Sequence, residues 1–211
     1  MQINLMRLVL VVALMFAFQV NAAASKDKIA QIEQHIDQVM TEFQVPGVAI
    51  AIVKDCEVLL QKGYGVTNIE TGAPVNEKTL FGIASNTKAM TAALLAQLVD
   101  QGKISWQTKV TDIIPEFQMP DAYVTRQFTV IDLLAHNSGL GLGAGDLMIW
   151  PHTDHSIEDI IKGIRYLPEE SSFRSEFAYD NLMYIIAGEV ISRVTNKPWS
   201  QVIQEQIFDP L

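Results

Sequence analysis

Apolar side chains recur at helical spacing near the beginning of the chain. They are Ile29, Ile32, Ile36, Val39, Met40 and Phe43. Because positions three and four residues apart share one face of an α-helix, this spacing predicts an amphipathic helix over residues 26–43. The pair Pro46 and Gly47 ends the helical pattern.

Two apolar runs rich in β-branched residues come next. Residues 48–53 and 58–64 flank the pair Asp55 and Cys56, which predicts an antiparallel β-hairpin. We predict a third short strand over residues 79–83. Because three short strands form only a narrow sheet, we expect that further strands lie outside this chain and that the chain is truncated.

Helical patterns dominate the rest of the sequence. Residues 85–99 are apolar, rich in alanine and helical in period, and the pattern stops at Gly102. Further helices are predicted over residues 130–135, 157–166, 181–194 and 199–207. Strands followed by helices predict an α+β fold.

The first 24 residues have the layout of a cleavable secretory signal. Arg7 precedes an apolar run over residues 8–20, and small residues follow it. A membrane anchor is the alternative, but the run is shorter than the roughly 20 residues that span a bilayer. We therefore predict cleavage after Ala22 or Ala24, no stable membrane anchor after cleavage, and a periplasmic or secreted product.

This pattern divides the chain into three parts. Residues 1–24 are predicted to be the signal peptide, and residues 25–84 the N-terminal helix and hairpin of an α/β domain. Residues 85–211 are predicted to form a long helix that begins at Ser85, the candidate nucleophile helix discussed below, and a helical region, which is truncated.

Composition and charge limit the class of protein. The chain has 211 residues, of which 49% are hydrophobic and 18% charged, as in globular domains. Its net charge is −9 and its basic residues are scattered, which argues against a nucleic-acid partner. Cys56 is the only cysteine, so no internal disulfide forms.

Ser85 and Lys88 stand three positions apart at a predicted helix start. That spacing places both side chains on one face, where the helix dipole favours a developing oxyanion and disfavours a protonated lysine. A lysine with a depressed pKa can accept the serine proton and activate the hydroxyl. The spacing alone is not specific, because Ser25 and Lys28 repeat it, and Ser85 as a simple helix N-cap is the alternative.

A second candidate segment is Tyr179-Asp180-Asn181, before the predicted helix 181–194. A tyrosine hydroxyl can carry a proton to a leaving group, and an asparagine amide can bind both Lys88 and a substrate carbonyl. The alternative is a helix start with Asn181 near its cap.

Four segments occur in one order along the chain: Val45-Pro46-Gly47-Val48, Ser85-Asn86-Thr87-Lys88, Leu133-Leu134-Ala135-His136-Asn137-Ser138-Gly139-Leu140 and Tyr179-Asp180-Asn181. Together they resemble the serine β-lactamase-related family, which includes class C β-lactamases, D-alanyl-D-alanine carboxypeptidases and related esterases. The resemblance runs from about Ile29 to Leu211. It implies a β-lactamase/transpeptidase-like fold, with an antiparallel sheet flanked by helices and a mainly helical region.

The resemblance also implies roles for individual residues. Ser85 would be the nucleophile and Lys88 its base partner. Tyr179 would be the proton shuttle, and Asn181 would contact the substrate and the lysine. The implied enzyme is a serine hydrolase that forms an acyl-enzyme on a small ester, amide, peptide or β-lactam, without metal or cofactor.

The sequence departs from the family pattern in three places. The family's third motif, Lys or His followed by a small residue and Gly, is absent, so we expect this chain alone to be inactive. Asp180 is an acidic residue in the middle of the second motif and would raise the pKa of Lys88 if its carboxylate pointed inward. Cys56 stands where Gly commonly follows Asp, which predicts a strained turn.

Other polar residues are weaker candidates. His136 and Ser138 are adjacent loop positions, which rarely point together, and the resemblance makes them structural. His152, Asp154 and His155 lie in a polar loop with no further ligand at metal-binding spacing, so we expect a solvated loop. The alternative to a hydrolase is a non-catalytic cell-wall or ligand-binding relative, or an inactive fragment.

Overall fold

The computed structural model describes residues 27–151 and 153–211. Contacts divide them into two units, one up to Gly82 and the other from Ile83. The predicted signal peptide and His152 lie outside the described residues. Among those residues, no helix combines the length and apolar character that a membrane span requires.

The first unit contains a helix and a β-hairpin. Helix α1 spans residues 27–42, in agreement with the predicted helix. It is amphipathic, and buried Ile36 clusters with Leu60 and Tyr64 of the hairpin. Lys62 donates a hydrogen bond to Glu33 on the helix at 2.6 Å, which adds a polar contact between helix and hairpin.

The hairpin pairs strand β1, Gly47–Lys54, with strand β2, Glu57–Gly65. The strands are antiparallel, in a register that places Lys54 opposite Glu57. Asp55 and Cys56 at the turn have φ angles of 52° and 63°. Left-handed conformations at both turn residues are what a two-residue hairpin requires, so the predicted hairpin and strained turn are confirmed.

The predicted third strand is wrong. Residues 79–83 form no strand, and the sheet of the described residues contains β1 and β2 alone. Leu80 is 96% exposed, and the Thr79 N–H closes a local turn on the Asn76 carbonyl. A β-branched and aromatic run becomes a strand only where a neighbouring strand supplies backbone partners, and this run has none here.

The second unit is helical. Its helices are α2 (Thr87–Asp100), α3 (Val110–Ile113), α4 (Ala122–Gln127), α5 (Asp132–Ala135), α6 (Ile157–Gly163), α7 (Leu182–Thr195) and α8 (Trp199–Ile203). Short 3₁₀ turns cover Ala84–Asn86, Asp146–Met148 and Ile164–Tyr166, and a π turn covers Gln204–Phe208. The predicted helices are present, whereas α3, α4 and the turn at Asp146 were not predicted.

Two helices of 14 residues, α2 and α7, organise this unit. Their buried apolar side chains are Leu94, Leu95 and Leu98 on α2, and Leu182, Met183, Ile186, Ala187, Val190 and Ile191 on α7. Burial of each large side chain contributes about 1.5–3 kcal/mol, so this seam holds the two helices together. It also brings the beginning of α2 close to the beginning of α7.

Candidate active site

Ser85 lies exposed in a tight turn directly before α2. It is the middle residue of the 3₁₀ turn Ala84–Asn86, and α2 begins at Thr87. Ala84 has a φ angle of 44°, in the left-handed region that residues with a side chain seldom adopt. Such strained positions cluster at functional sites, where they fix the direction of a neighbouring side chain.

Lys88 occupies the first turn of α2, and its side chain reaches the Ser85 hydroxyl. Its Nζ donates hydrogen bonds to Ser85 Oγ at 3.2 Å and to Asn181 Oδ1 at 2.6 Å. The ammonium also lies 4.7 Å from the ring centre of Tyr179 and 5.3 Å from that of Tyr184. An amide oxygen and two aromatic faces therefore hold the positive charge beside the serine.

Tyr179 is the second side chain that contacts Ser85. Its Oη lies 2.6 Å from Ser85 Oγ, a hydrogen-bonding distance. Lys88, with a contribution from the Ser85 hydroxyl, holds the pKa of Tyr179 below its usual range. The structure therefore brings all four predicted site residues, Ser85, Lys88, Tyr179 and Asn181, into one hydrogen-bonded group.

Asn181, the residue before α7, connects this group to a carboxylate that the sequence did not reveal. Its Nδ2 donates to both carboxylate oxygens of Asp146, at 3.0 and 3.1 Å. Asp146 begins a 3₁₀ turn after a glycine-rich loop. That loop was the available signal, because closely spaced glycines indicate a backbone that needs unusual conformations.

Asp180 is fully buried between the two site residues. Its Oδ1 accepts hydrogen bonds from the N–H groups of Leu182 and Met183, and its Oδ2 accepts one from the Ser138 hydroxyl. The carboxylate therefore caps the beginning of α7. Burial raises the pKa of Asp180 above the usual carboxyl range, against the effect of these hydrogen bonds.

His136 supports Tyr179 from behind. Its ring stacks on the Tyr179 ring, with centres 4.5 Å apart and planes 28° from parallel. Its Nδ1 accepts a hydrogen bond from the Asp180 N–H at 3.0 Å, and its carbonyl accepts one from the Ala178 N–H. Burial, together with the charge of Lys88, lowers the pKa of His136, which favours the neutral ring that this bond needs.

A cavity of about 900 Å³ opens beside these residues in the second unit. Ser85, Lys88, Asp146 and Asn181 form part of its wall. The other walls are mainly apolar: Ile149, Trp150, Ile157, Ile185 and Trp199. A pocket with apolar walls and a few polar groups at one end is typical of a small-molecule site.

Two of the three candidate metal ligands in the polar loop, Asp154 and His155, are among the described residues. Asp154 and His155 are exposed, and the His155 N–H donates to Thr153. Across residues 27–151 and 153–211, no cluster of three or more His, Cys, Asp or Glu side chains is arranged to hold a metal ion.

Comparison with known sequences identifies the family. A family model described as Beta-lactamase matches residues 32–211. Unguisins hydrolase ungD of Aspergillus violaceofuscus is 30% identical over 185 residues, covering 85% of this chain and 32% of that protein. Penicillin-binding protein 4 of Amycolatopsis lactamdurans is 30% identical over 183 residues, covering 86% of this chain and 47% of that protein.

Solved structures agree with this assignment. The octameric penicillin-binding protein homologue from Pyrococcus abyssi superposes with a TM-score of 0.74 at 27% identity, over 86% of this chain and 42% of that one. The D-amino acid amidase from Ochrobactrum anthropi SV3 gives a TM-score of 0.67 at 26% identity, over 81% and 46%. The chain thus spans less than half the length of these relatives. It belongs to the Beta-lactamase family and has the α+β fold of the β-lactamases and transpeptidases.

Proposed function

We propose that this protein is a serine hydrolase that forms an acyl-enzyme at Ser85 on an ester, amide or β-lactam. One observation carries the proposal. Ser85 Oγ lies within hydrogen-bonding distance of both the phenol of Tyr179, at 2.6 Å, and the ammonium of Lys88, at 3.2 Å. A serine hydroxyl becomes nucleophilic when a neighbouring base takes its proton, and Tyr179 can fill this role once its phenol is ionised.

The shorter of the two distances supports Tyr179 as the group that takes the Ser85 proton. The ammonium of Lys88 lowers the pKa of Tyr179, which makes its phenolate easier to form. That phenolate accepts the Ser85 proton while Oγ attacks the carbonyl carbon of the substrate. Tyr179 then returns that proton to the leaving nitrogen or oxygen as its bond to the carbonyl carbon breaks. Water hydrolyses the resulting ester of Ser85 and restores the hydroxyl.

Lys88 stabilises this sequence through its charge. Its ammonium lies beside both hydroxyl oxygens that share the proton, so it stabilises a negative phenolate or alkoxide there. The sequence predicted Lys88 as the base itself. Lys88→Arg separates the two roles, because arginine keeps the charge but does not lose its proton, and residual acylation in this variant would favour the electrostatic role.

The relatives and the cavity support an acyl substrate with an apolar part. The matching proteins are named as a hydrolase of unguisins, a penicillin-binding protein and an amidase of D-amino acids. The cavity beside Ser85 has mainly apolar walls, which suits an apolar acyl group better than a highly charged one. We therefore propose a small ester, amide or β-lactam that carries its apolar part into this cavity.

Covalent labelling tests the proposal directly. Because this chain covers less than half the length of its relatives, the test uses the product of the whole reading frame beside the chain alone. Each is incubated with a fluorescent penicillin and, separately, with a fluorophosphonate, and the adduct is located by peptide mass spectrometry. We expect the adduct on Ser85 and its loss in Ser85→Ala. Ser172→Ala is the matched control, since this exposed serine lies on the segment before Tyr179, and it should label like the unmodified protein.

Two outcomes would contradict the proposal. Labelling that persists in Ser85→Ala would place the nucleophile elsewhere. A product of the whole reading frame that neither probe labels, under conditions where a known penicillin-binding protein is labelled, would favour the alternative of a non-catalytic binding protein.

A further inference from the structure

A glycine-rich loop carries Asp146 to the site. Gly143 and Gly145 have φ angles of 68° and 74°, which only glycine adopts at little cost. A Cβ at Gly145 would collide with the side chain of Leu182, and the Gly143 N–H donates to the Tyr179 carbonyl at 2.9 Å. The loop is therefore held against the backbone of the Tyr179 segment.

The contacts of Asn181 permit one orientation of its amide. Nδ2 faces the two carboxylate oxygens of Asp146, which only accept hydrogen bonds. Oδ1 faces the ammonium of Lys88, which only donates. A flipped amide would place donor against donor and acceptor against acceptor, so Asp146 and Lys88 together select this orientation.

We propose that Asp146 is a positioning residue: its carboxylate holds the Asn181 amide so that Oδ1 fixes Lys88 against Ser85 and Tyr179. The loop thus positions the ammonium of Lys88 indirectly, through the side chain of Asn181. This inference rests on the proposed acyl transfer at Ser85.

Asp146 exerts two effects that can be separated. Its hydrogen bonds orient Asn181, and its negative charge opposes the effect of Lys88 by raising the pKa of Tyr179. The charged and titratable groups around Tyr179 are Lys88 on α2, Asp146 on its loop, His136 in the stacked ring and Tyr184 on α7. Asp146→Asn removes the charge and keeps an acceptor oxygen, whereas Asp146→Ala removes both.

The test compares these two variants in turnover of a chromogenic ester or cephalosporin. For Asp146→Ala we expect kcat to fall on the order of 100-fold, the loss caused by a displacement of about 1 Å in a reacting group, with a smaller change in KM. For Asp146→Asn we expect a loss within about fivefold, because a neutral hydrogen bond still orients the amide. The acid limb of the pH profile should move to lower pH in Asp146→Asn, since the carboxylate that raises the Tyr179 pKa is gone.

A control and a second measurement keep the inference falsifiable. Asp154→Ala, an exposed aspartate of the same unit, should leave kcat unchanged. The side-chain amide signals of Asn181 in ¹⁵N NMR report its orientation without activity, and Asp146→Ala should shift them and speed their exchange with solvent. If the protein shows no turnover, the proposed acyl transfer at Ser85 is contradicted. The NMR signals still test whether Asp146 orients the Asn181 amide.

Two results would overturn the positioning role. One is an Asp146→Ala variant with the kcat and the Asn181 signals of the unmodified protein. The other is an equal loss of kcat in both variants with an unmoved acid limb and matched losses of thermal stability, which would indicate a purely structural residue.

Discussion

The two walls of the site are built in different ways. We call Ser85 and Lys88 the nucleophile wall and residues 179–181 the tyrosine wall. The nucleophile wall is one continuous stretch, a 3₁₀ turn followed by the first turn of α2. The tyrosine wall is a short segment that two distant segments hold, residues 136–140 and 143–146.

The difference lies in where each wall gets its support. Ser85 is exposed, and its position depends on local backbone geometry at Ala84. Asp180 is completely buried, and its backbone and side chain bond to His136 and Ser138, more than 40 residues earlier. We therefore expect substitutions behind the tyrosine wall to damage stability, and those around the nucleophile wall to have small structural effects.

The largest effect is expected from Asp180→Ala. It removes the acceptor of three hydrogen bonds, two of them from N–H groups at the beginning of α7. We expect a loss of about 3 kcal/mol in the free energy of unfolding, measured by urea denaturation. Asp154→Ala is the control, and a change at an exposed site should stay within about 0.5 kcal/mol.

The Asp180 carboxyl also makes the stability of the folded protein depend on pH. Burial raises the folded-state pKa of Asp180 above that of an exposed aspartate, so the folded protein retains this proton at pH values where the unfolded chain has lost it. The stabilisation that depends on this bound proton is fully present below about pH 4. It is lost as the pH rises through the folded-state pKa of Asp180. Asp180→Asn should lack this decrease, and parallel stability curves for the two proteins would contradict the assignment.

A smaller effect is expected from His136→Phe, which keeps a stacked ring but removes the acceptor of the Asp180 N–H. We expect acylation of Ser85 to slow about tenfold and unfolding free energy to fall by about 1 kcal/mol, the cost of one unsatisfied buried donor. Stopped-flow acylation with a fluorescent penicillin and urea denaturation measure the two effects. His155→Phe, at an exposed loop position, should change neither quantity. If His136→Phe kept the acylation rate and the unfolding free energy of the unmodified protein, the tyrosine wall would not need this bond.

The smallest effect is expected at the nucleophile wall. Ala84→Gly relieves a left-handed backbone conformation, but it also adds freedom to the unfolded chain. The two contributions nearly cancel, so we expect unfolding free energy to change by less than about 1 kcal/mol. The measured quantity is the midpoint of thermal unfolding, and a loss as large as that of Asp180→Ala would remove the contrast between the walls.

The contrast also explains what the sequence could predict. The hairpin turn at Asp55 and Cys56, and the i, i+3 pair Ser85 and Lys88, depend on neighbouring residues, and local patterns describe them well. The strand predicted over residues 79–83 was wrong because strands need partners that a local pattern cannot supply. Asp146 was missed because its importance depends on Asn181, far along the chain, and periodicity carries no information about that contact.

The contacts of Tyr179 with Ser85 and of Asn181 with Lys88 were expected from side-chain chemistry and from the family resemblance, and from no periodicity in the sequence. Their hydrogen bonds to the nucleophile wall span more than 90 residues. The short helices α3 and α4, of four and six residues, were missed because one turn contains too few positions to show a period.

The left-handed turn of the hairpin has a practical consequence for spectroscopy. It presents Cys56, the only cysteine of the sequence, at an exposed position in the first unit. All three tryptophans, Trp106, Trp150 and Trp199, belong to the second. A thiol-reactive dye and intrinsic fluorescence can therefore follow the unfolding of each unit at its own wavelength, and coincident transitions would show that the two units unfold cooperatively.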